Sequence, residues 1–280
     1  MPDLTKTASM PNRHSSTPAR FWKPVLGWLD RLAPGLTFVG VLAVWQLGVY
    51  LFRVPIFLLP APSDIAAAAF ETEWWLWGRH IWATLRVALE GYLLATVIAI
   101  PLGVMLATSR LLSRTLYPLL IVIQSMPVVA IAPIIVVTLG SSDLPRIVIT
   151  FLITFFPIVV STATGVAATP PELIELSRSL RAGRGREITQ IRLPFALPYI
   201  FSALKISTTL AVVGAVVAEF VAADQGLGYF IAISTSFFRI PSAFMGLVIL
   251  VVMSLGLFQL VVTVQRIFAP WSLPTGGTGH

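Results

Sequence analysis

Six stretches of this chain are apolar for close to twenty residues each, and that pattern restricts the fold more than any other feature. They run Leu36 to Phe52, Val87 to Ala107, Leu116 to Gly140, Ile147 to Ala168, Pro198 to Ala223 and Ala243 to Val264. As helix, about 20 apolar residues cross a bilayer core. Strands of a membrane barrel would alternate apolar and polar residues in shorter pieces, which these runs do not. Of the 280 residues, 56% are hydrophobic and 11% charged, whereas a soluble domain carries about 25% charged residues. The chain reads as an all-α integral membrane protein with six transmembrane helices.

The Lys and Arg residues set the orientation. With the N-terminus inside, thirteen of them fall on the inner side: Lys6, Arg13, Arg20, Lys23, Arg31, Arg110, Arg114, Arg178, Arg181, Arg184, Arg186, Arg192 and Arg266. Four fall outside: Arg53, Arg79, Arg146 and Arg239. By the positive-inside rule both termini face the cytoplasm. The same rule accounts for the net charge of +7 without a nucleic-acid partner. Residues 1–34 are polar, basic and Pro/Ser-rich, with no secretory signal, and are expected to form a largely disordered cytoplasmic tail with an interfacial turn around Phe21–Leu32. Residues 35–268 form the transmembrane domain and 269–280 a cytoplasmic C-terminal tail. There is no cysteine, and His14, His80 and His280 are scattered, so no metal site is expected.

One loop carries a disproportionate share of the charge. "ELIELSRSLRAGRGREITQIRLP", Glu172 to Pro194, holds five arginines and three glutamates. Thr169, Pro170 and Glu172 read as a cap, a first helical position and a capping-box glutamate. Leu173, Leu176 and Leu180 share one helix face, Gly183 and Gly185 break the helix, and Ile188 and Ile191 mark a second turn before Leu193 and Pro194. Topology alone explains the arginines. It does not explain the interleaved glutamates and periodic leucines, which have the anatomy of an interface: apolar anchors with a charged rim.

The loop resembles the EAA motif of the permease subunits of ATP-binding-cassette importers: Glu-Ala-Ala, three residues, Gly, nine residues, Ile, one residue, Leu-Pro. Here the sequence is Glu175-Leu176-Ser177, then Arg181, then Ile191-Arg192-Leu193-Pro194, with the spacing kept. Arg181 stands where the family has glycine, which leaves the turn either at Gly183 or after a first helix one turn longer. Similarity extends over roughly Ile81 to Phe268. "TLRVALEGYLLATVIAIPLGVMLATS", "QSMPVVAIAPIIVV", "FFPIVVSTATG", "LPFALPYIFSALKI" and "AEFVAADQGLGY" resemble the nitrate, sulfonate and taurine importer permeases and their pyrimidine-precursor relatives.

The resemblance implies the type I importer fold, with residues 169–194 forming a cytoplasmic coupling helix-turn-helix. It implies a bacterial inner-membrane complex of two permease copies, two cytoplasmic ATPases and an external solute-binding protein. The loop occurs once and no internal repeat is evident, so the pair is expected to be a homodimer. No Gly-x-x-x-x-Gly-Lys-Ser/Thr occurs, so ATP and Mg would be bound by the partner ATPase and no cofactor by this chain. No cluster of acids, histidines or nucleophiles supports an enzyme. The cargo would be a nitrate-, sulfonate- or taurine-like anion or a pyrimidine-precursor-like heteroaromatic. A self-sufficient ion-coupled carrier is the alternative, but such carriers show repeats and interrupted helices in both halves.

Polar residues at membrane depth are the remaining candidates. Gln124, Ser125, Met126 and Pro127 interrupt the third span, lining a path or kinking a packed helix in which Gln124 bonds a neighbour. Glu219, near the outer end of the fifth span, either faces the path or snorkels to the interface. Gly226 and Gly228 permit a tight outer turn. Glu90 is placed to pair with Arg86, four residues earlier, Lys205 to snorkel inward, and Phe155 and Phe156 to make lipid or packing contacts.

Overall fold

In the computed structural model, residues 23–140 and 142–273 are described, with side chains from residue 33 onward. The expected N-terminal tail up to residue 22 and the last seven residues lie outside them. The chain divides into two units, 1–53 and 54–280. Among its described residues the first holds one helix, α1 (Lys23–Leu51). It begins before the expected span, and its apolar part, Ala33–Leu51, has 19 residues, about 28 Å of helix.

Among its described residues, the second unit contains helices joined by short turns, and no strand. It comprises α2 (Pro62–Glu71), α3 (Trp74–Thr108), α4 (Arg110–Gln124), α5 (Val128–Leu139), α6 (Asp143–Ala167), α7 (Pro171–Ser179), α8 (Arg184–Glu187), α9 (Leu193–Ala222), α10 (Leu227–Ser236) and α11 (Ile240–Phe268). A π-helical turn, Ile188–Arg192, joins α8 to α9. Among the described residues, five helices are long and apolar enough to cross a membrane: α1, α3, α6, α11 and the continuous run Arg184–Ala222.

The sixth candidate is broken where expected. α4 and α5 meet at 92°, with the interruption at Gln124–Pro127, and the first of the two helices starts earlier than expected, at Arg110. The cause is local. Pro127 has no N–H to continue the ladder and disfavours helix at Met126. It caps α5 in an extended conformation, and the Ala130 N–H donates to its carbonyl at 2.8 Å.

α3, α6 and α9 form the centre, and small residues set how closely they approach. Gly91, Ala95, Ala99 and Gly103 recur at every fourth position of α3, the small-xxx-small pattern of membrane helix pairs, and Ala95 and Ala99 are fully buried. A Cβ at Gly91 would lie 2.6 Å from Thr150 Cβ, and one at Gly103 2.6 Å from Thr162 Cβ. The contacts keep the same order along both helices, so α3 and α6 run parallel. Against α9 the order reverses. Gly165 meets Tyr199 and Gly214 meets Thr150, which makes α6 and α9 antiparallel.

The threonines in this seam carry no stray donors where their hydroxyls bond back along the helix. Thr150 donates to the Arg146 carbonyl and Thr154 to the Thr150 carbonyl, each at 2.9 Å. Phe155 and Phe156 are buried in the same core, as packing contacts.

Gly103→Leu should force α3 from α6 and cost about 1–3 kcal/mol, read as a lower Tm in detergent. Gly78→Leu, where nothing lies within 4 Å of an added Cβ, should not lower it. Equal losses would show that the α3–α6 approach is not what holds the core.

Candidate functional site: the charged loop and the far turn it connects to

The charged loop leaves α6 without the expected capping box. The Thr169 hydroxyl turns back to the Val166 carbonyl at 2.9 Å, satisfying an acceptor at the end of α6. Pro170 occupies the cap of α7 with Pro171 at its first position, and no side chain caps the helix. Pro171 needs no N–H there and its fixed φ suits a helix start, so two prolines serve where a threonine was expected.

The first helix ends where the family spacing places it, and not at Gly183. Arg181 itself takes the left-handed conformation, with φ +52°. Its N–H donates to the Arg178 carbonyl at 2.9 Å, and the Ala182 N–H to the Ser177 carbonyl at 3.0 Å. These two bonds are a Schellman closure. Neither a shifted turn nor a longer first helix occurs. Gly183 instead caps α8, and Gly185 lies within it.

Beyond the turn, Glu187 organises the loop. It is buried, accepts from Arg192 Nε at 2.8 Å, and lies 2.7 Å from a second Arg192 nitrogen and 3.6 Å from Arg178 Nε. Arg192 is five residues from Glu187, beyond the i,i+4 neighbour of an α-helix. The intervening π turn, with its i→i+5 bonding, brings it round. Scanning for i,i+4 pairs therefore misses Glu187, the best-held acid of the loop.

Leu173, Leu176 and Leu180 share a face as expected and are 42%, 56% and 74% exposed. Leu173, Leu176, Ser177 and Leu180 line a largely apolar groove of about 480 Å3 with Gln190, Ile191, Pro194, Phe195 and Trp271. Leu193 is half-buried beside it, and Ser177 is buried at its floor. Glu172, Glu175, Arg178, Arg181, Arg184 and Arg186 are exposed elsewhere in the same loop. Trp271 belongs to the expected C-terminal tail. That segment folds back because Gln265 Nε2 donates to the Ser272 hydroxyl at 2.9 Å and to its carbonyl at 3.2 Å.

At the opposite end of α9 the chain turns at Gly226, φ +120°, into α10. Three successive N–H groups at the start of α10 need partners, and side chains from two helices supply them. Gly226 donates to His80 Nδ1 at 3.0 Å, Leu227 to Thr84 Oγ1 at 2.7 Å, and Gly228 to Glu219 Oε2 at 2.7 Å. A Cβ on Gly226 would fall 2.3 Å from the Glu219 carboxyl carbon. Glu219 is 2% exposed, so the snorkelling alternative is corrected: the carboxyl group is enclosed against the N-terminus of α10, where it accepts from the Gly228 N–H.

Gln124, Ser125, Met126 and Pro127 are all exposed at the α4–α5 bend. Gln124 has no hydrogen-bond partner among the described residues, and Ser125 bonds back to the Ile121 carbonyl at 2.7 Å. The structure does not bring these four together with Glu219. Arg86 pairs with Glu90 at 3.2 Å as expected, and also with Asp143, which in turn pairs with the buried Arg146.

A family model described as "Binding-protein-dependent transport system inner membrane component" matches residues 99–272, a range that contains the groove, the π turn and the far turn. The chain belongs to this family. The permease is 37% identical to the riboflavin transport system permease protein RibX of Chloroflexus aurantiacus, over 90% of this chain and 92% of that one. It is 32% identical to the formylaminopyrimidine transport permease protein ThiX of Halalkalibacterium halodurans, over 86% and 96%. A chain of the MetNI methionine ABC transporter, solved in inward-facing conformations, matches with TM-score 0.61 at 25% identity, over 69% of this chain and 96% of that chain. This is a multi-pass membrane permease of the binding-protein-dependent importer type.

Left-handed backbone costs a non-glycine residue roughly 1–2 kcal/mol. Arg181→Gly in the permease should therefore steady the α7–α8 turn, slowing amide exchange across residues 171–192 by about fivefold. Arg181→Val should quicken it. Faster exchange in the glycine variant would show that the arginine side chain, not the backbone, holds the turn.

Proposed function

We propose that two copies of this permease form the translocation path of an ATP-driven importer, with both termini in the cytoplasm. The groove between α7 and the start of α9 seats on a separate ATPase, one per copy. An external solute-binding protein delivers cargo to the other face. ATP and Mg belong to the ATPase, and this chain does no covalent chemistry. The arrangement of Lys and Arg supports the orientation.

One observation carries the docking reading. Three leucines between 42% and 74% exposed line an apolar groove in a loop whose glutamates and arginines are otherwise mostly exposed. In water such a surface is costly, and apolar anchors ringed by polar groups are the anatomy of a recognition surface. The groove is also mechanically connected. Arg184–Ala222 is one continuous helical run of 39 residues, roughly 58 Å long. A load applied at the groove travels along it to Glu219 and the N-terminus of α10.

For the cargo we favour a heteroaromatic solute over a small anion. The relatives at 37% and 32% identity are named for riboflavin and formylaminopyrimidine. Within the bundle, the buried Arg146 is already paired with Asp143, which leaves little positive charge for an anion. The exposed bend at Gln124–Pro127 is our candidate for path lining, and Glu219 for holding the far turn that closes over the path.

Glu175→Lys reverses an exposed charge on α7, the helix that carries Leu173 and Leu176. The variant should insert and purify normally, yet solute-stimulated ATP hydrolysis of the reconstituted complex should fall to the unstimulated level. Undiminished stimulation would remove Glu175 from the docking surface.

A further inference from the structure

A second cavity, of about 860 Å3, opens beside the loop between the α3–α4 elbow and the start of the long helix. Four guanidinium groups line it, from Arg110, Arg178, Arg184 and Arg192, against one carboxylate, Glu187. That carboxylate is already engaged through both oxygens, one by Arg192 and the other by Arg178. Arg110 and Arg184 have no acidic partner among the described residues. Arg192 is held in place, its side chain only 14% exposed.

Membrane topology accounts for the sign of these charges but not for their convergence. Arg114, Arg181 and Arg186 obey the same rule, and none of them lines the cavity. Convergence of like charges is unfavourable unless something neutralises it. The planar donor fork of arginine matches phosphate oxygens in pairs. We propose that this cavity is a phosphate-binding site, filled by the headgroup of an anionic phospholipid. The neighbouring surface suits the rest of such a molecule. α4 has no buried residue, and Leu111 and Leu119 on it are 73% and 52% exposed, an apolar track for acyl chains beginning one residue from Arg110. Assigning the lipid to the inner leaflet rests on the orientation proposed above; the binding itself does not.

The test uses the full chain and reads binding rather than transport, so its outcome is independent of ATPase docking. Purified permease is titrated with phosphatidylglycerol or phosphatidylcholine and the bound lipid counted by native mass spectrometry. In a second arm, permease in phosphatidylcholine nanodiscs is dialysed against radiolabelled inorganic phosphate. Arg110→Gln with Arg184→Gln should weaken phosphatidylglycerol binding by about twenty-five-fold, at about fivefold per arginine, and leave phosphatidylcholine unchanged. Arg114→Gln with Arg186→Gln makes the same change in net charge outside the cavity and should cost less than about threefold. Lysine at both 110 and 184, which keeps the charge and guards against misfolding of the neutral pair, should give an intermediate loss. Dependence on the cavity pair for inorganic phosphate alone keeps the site and assigns it to a free anion. Equal losses from both pairs, or no loss from the cavity pair with either probe, overturn the proposal.

Discussion

Apolar side chains gain little by leaving lipid for a protein interior, so helices in a membrane are held by how closely their surfaces meet. In this permease that closeness comes from a few positions where a side chain is missing. Gly91 and Gly103 admit Thr150 and Thr162 of α6, and Gly165 and Gly214 let α9 approach α6 from another side. With one helix parallel and the other antiparallel, both ends of the molecule are positioned by the same three-helix contact. The charged loop leaves the end of α6 and enters α9. The far turn, at the other end of α9, is clamped by residues of α3 and α9.

That arrangement gives α9 a particular role. One end of the run carries Glu187 and Arg192 at the π turn, beside the exposed leucine groove. The other carries Glu219, which takes one of three N–H groups at the start of α10 while α3 takes the other two through His80 and Thr84. A displacement of α9 relative to α3 would strain those three bonds together, because they have different parents. The far turn is thus the place where movement of the loop would be felt, and the tight fit of Gly226 against the Glu219 carboxyl leaves little slack.

Much of this was legible in the sequence because it depends on local chemistry. The apolar runs mark the spans, Pro127 marks the break, the Leu173/Leu176/Leu180 spacing marks the face of α7, and Arg86 finds Glu90 one turn away. Failures came where a local rule had a competitor. Thr169 can cap forward or bond backward, and the carbonyl of Val166 won. Arg181 was expected to displace a turn that favours glycine, but two backbone hydrogen bonds fix the turn where it is. Glu187 and Arg192 are invisible to α-helical spacing because a π turn lies between them. His80 and Thr84 are 146 and 143 residues from the amides they hold, and no pattern in the chain connects residues so far apart. His80 read as one of three scattered histidines because its partner is backbone rather than a side chain.

In the proposed assembly this chain is a path moved by a separate motor through the α7–α9 loop. The most direct measurement is uptake against a concentration gradient into proteoliposomes, with binding protein and solute outside and ATP inside, in the presence and absence of the partner ATPase. Accumulation only when ATPase and ATP are both present is the expected result. Accumulation by the permease without the ATPase, driven by an ion gradient, would contradict it.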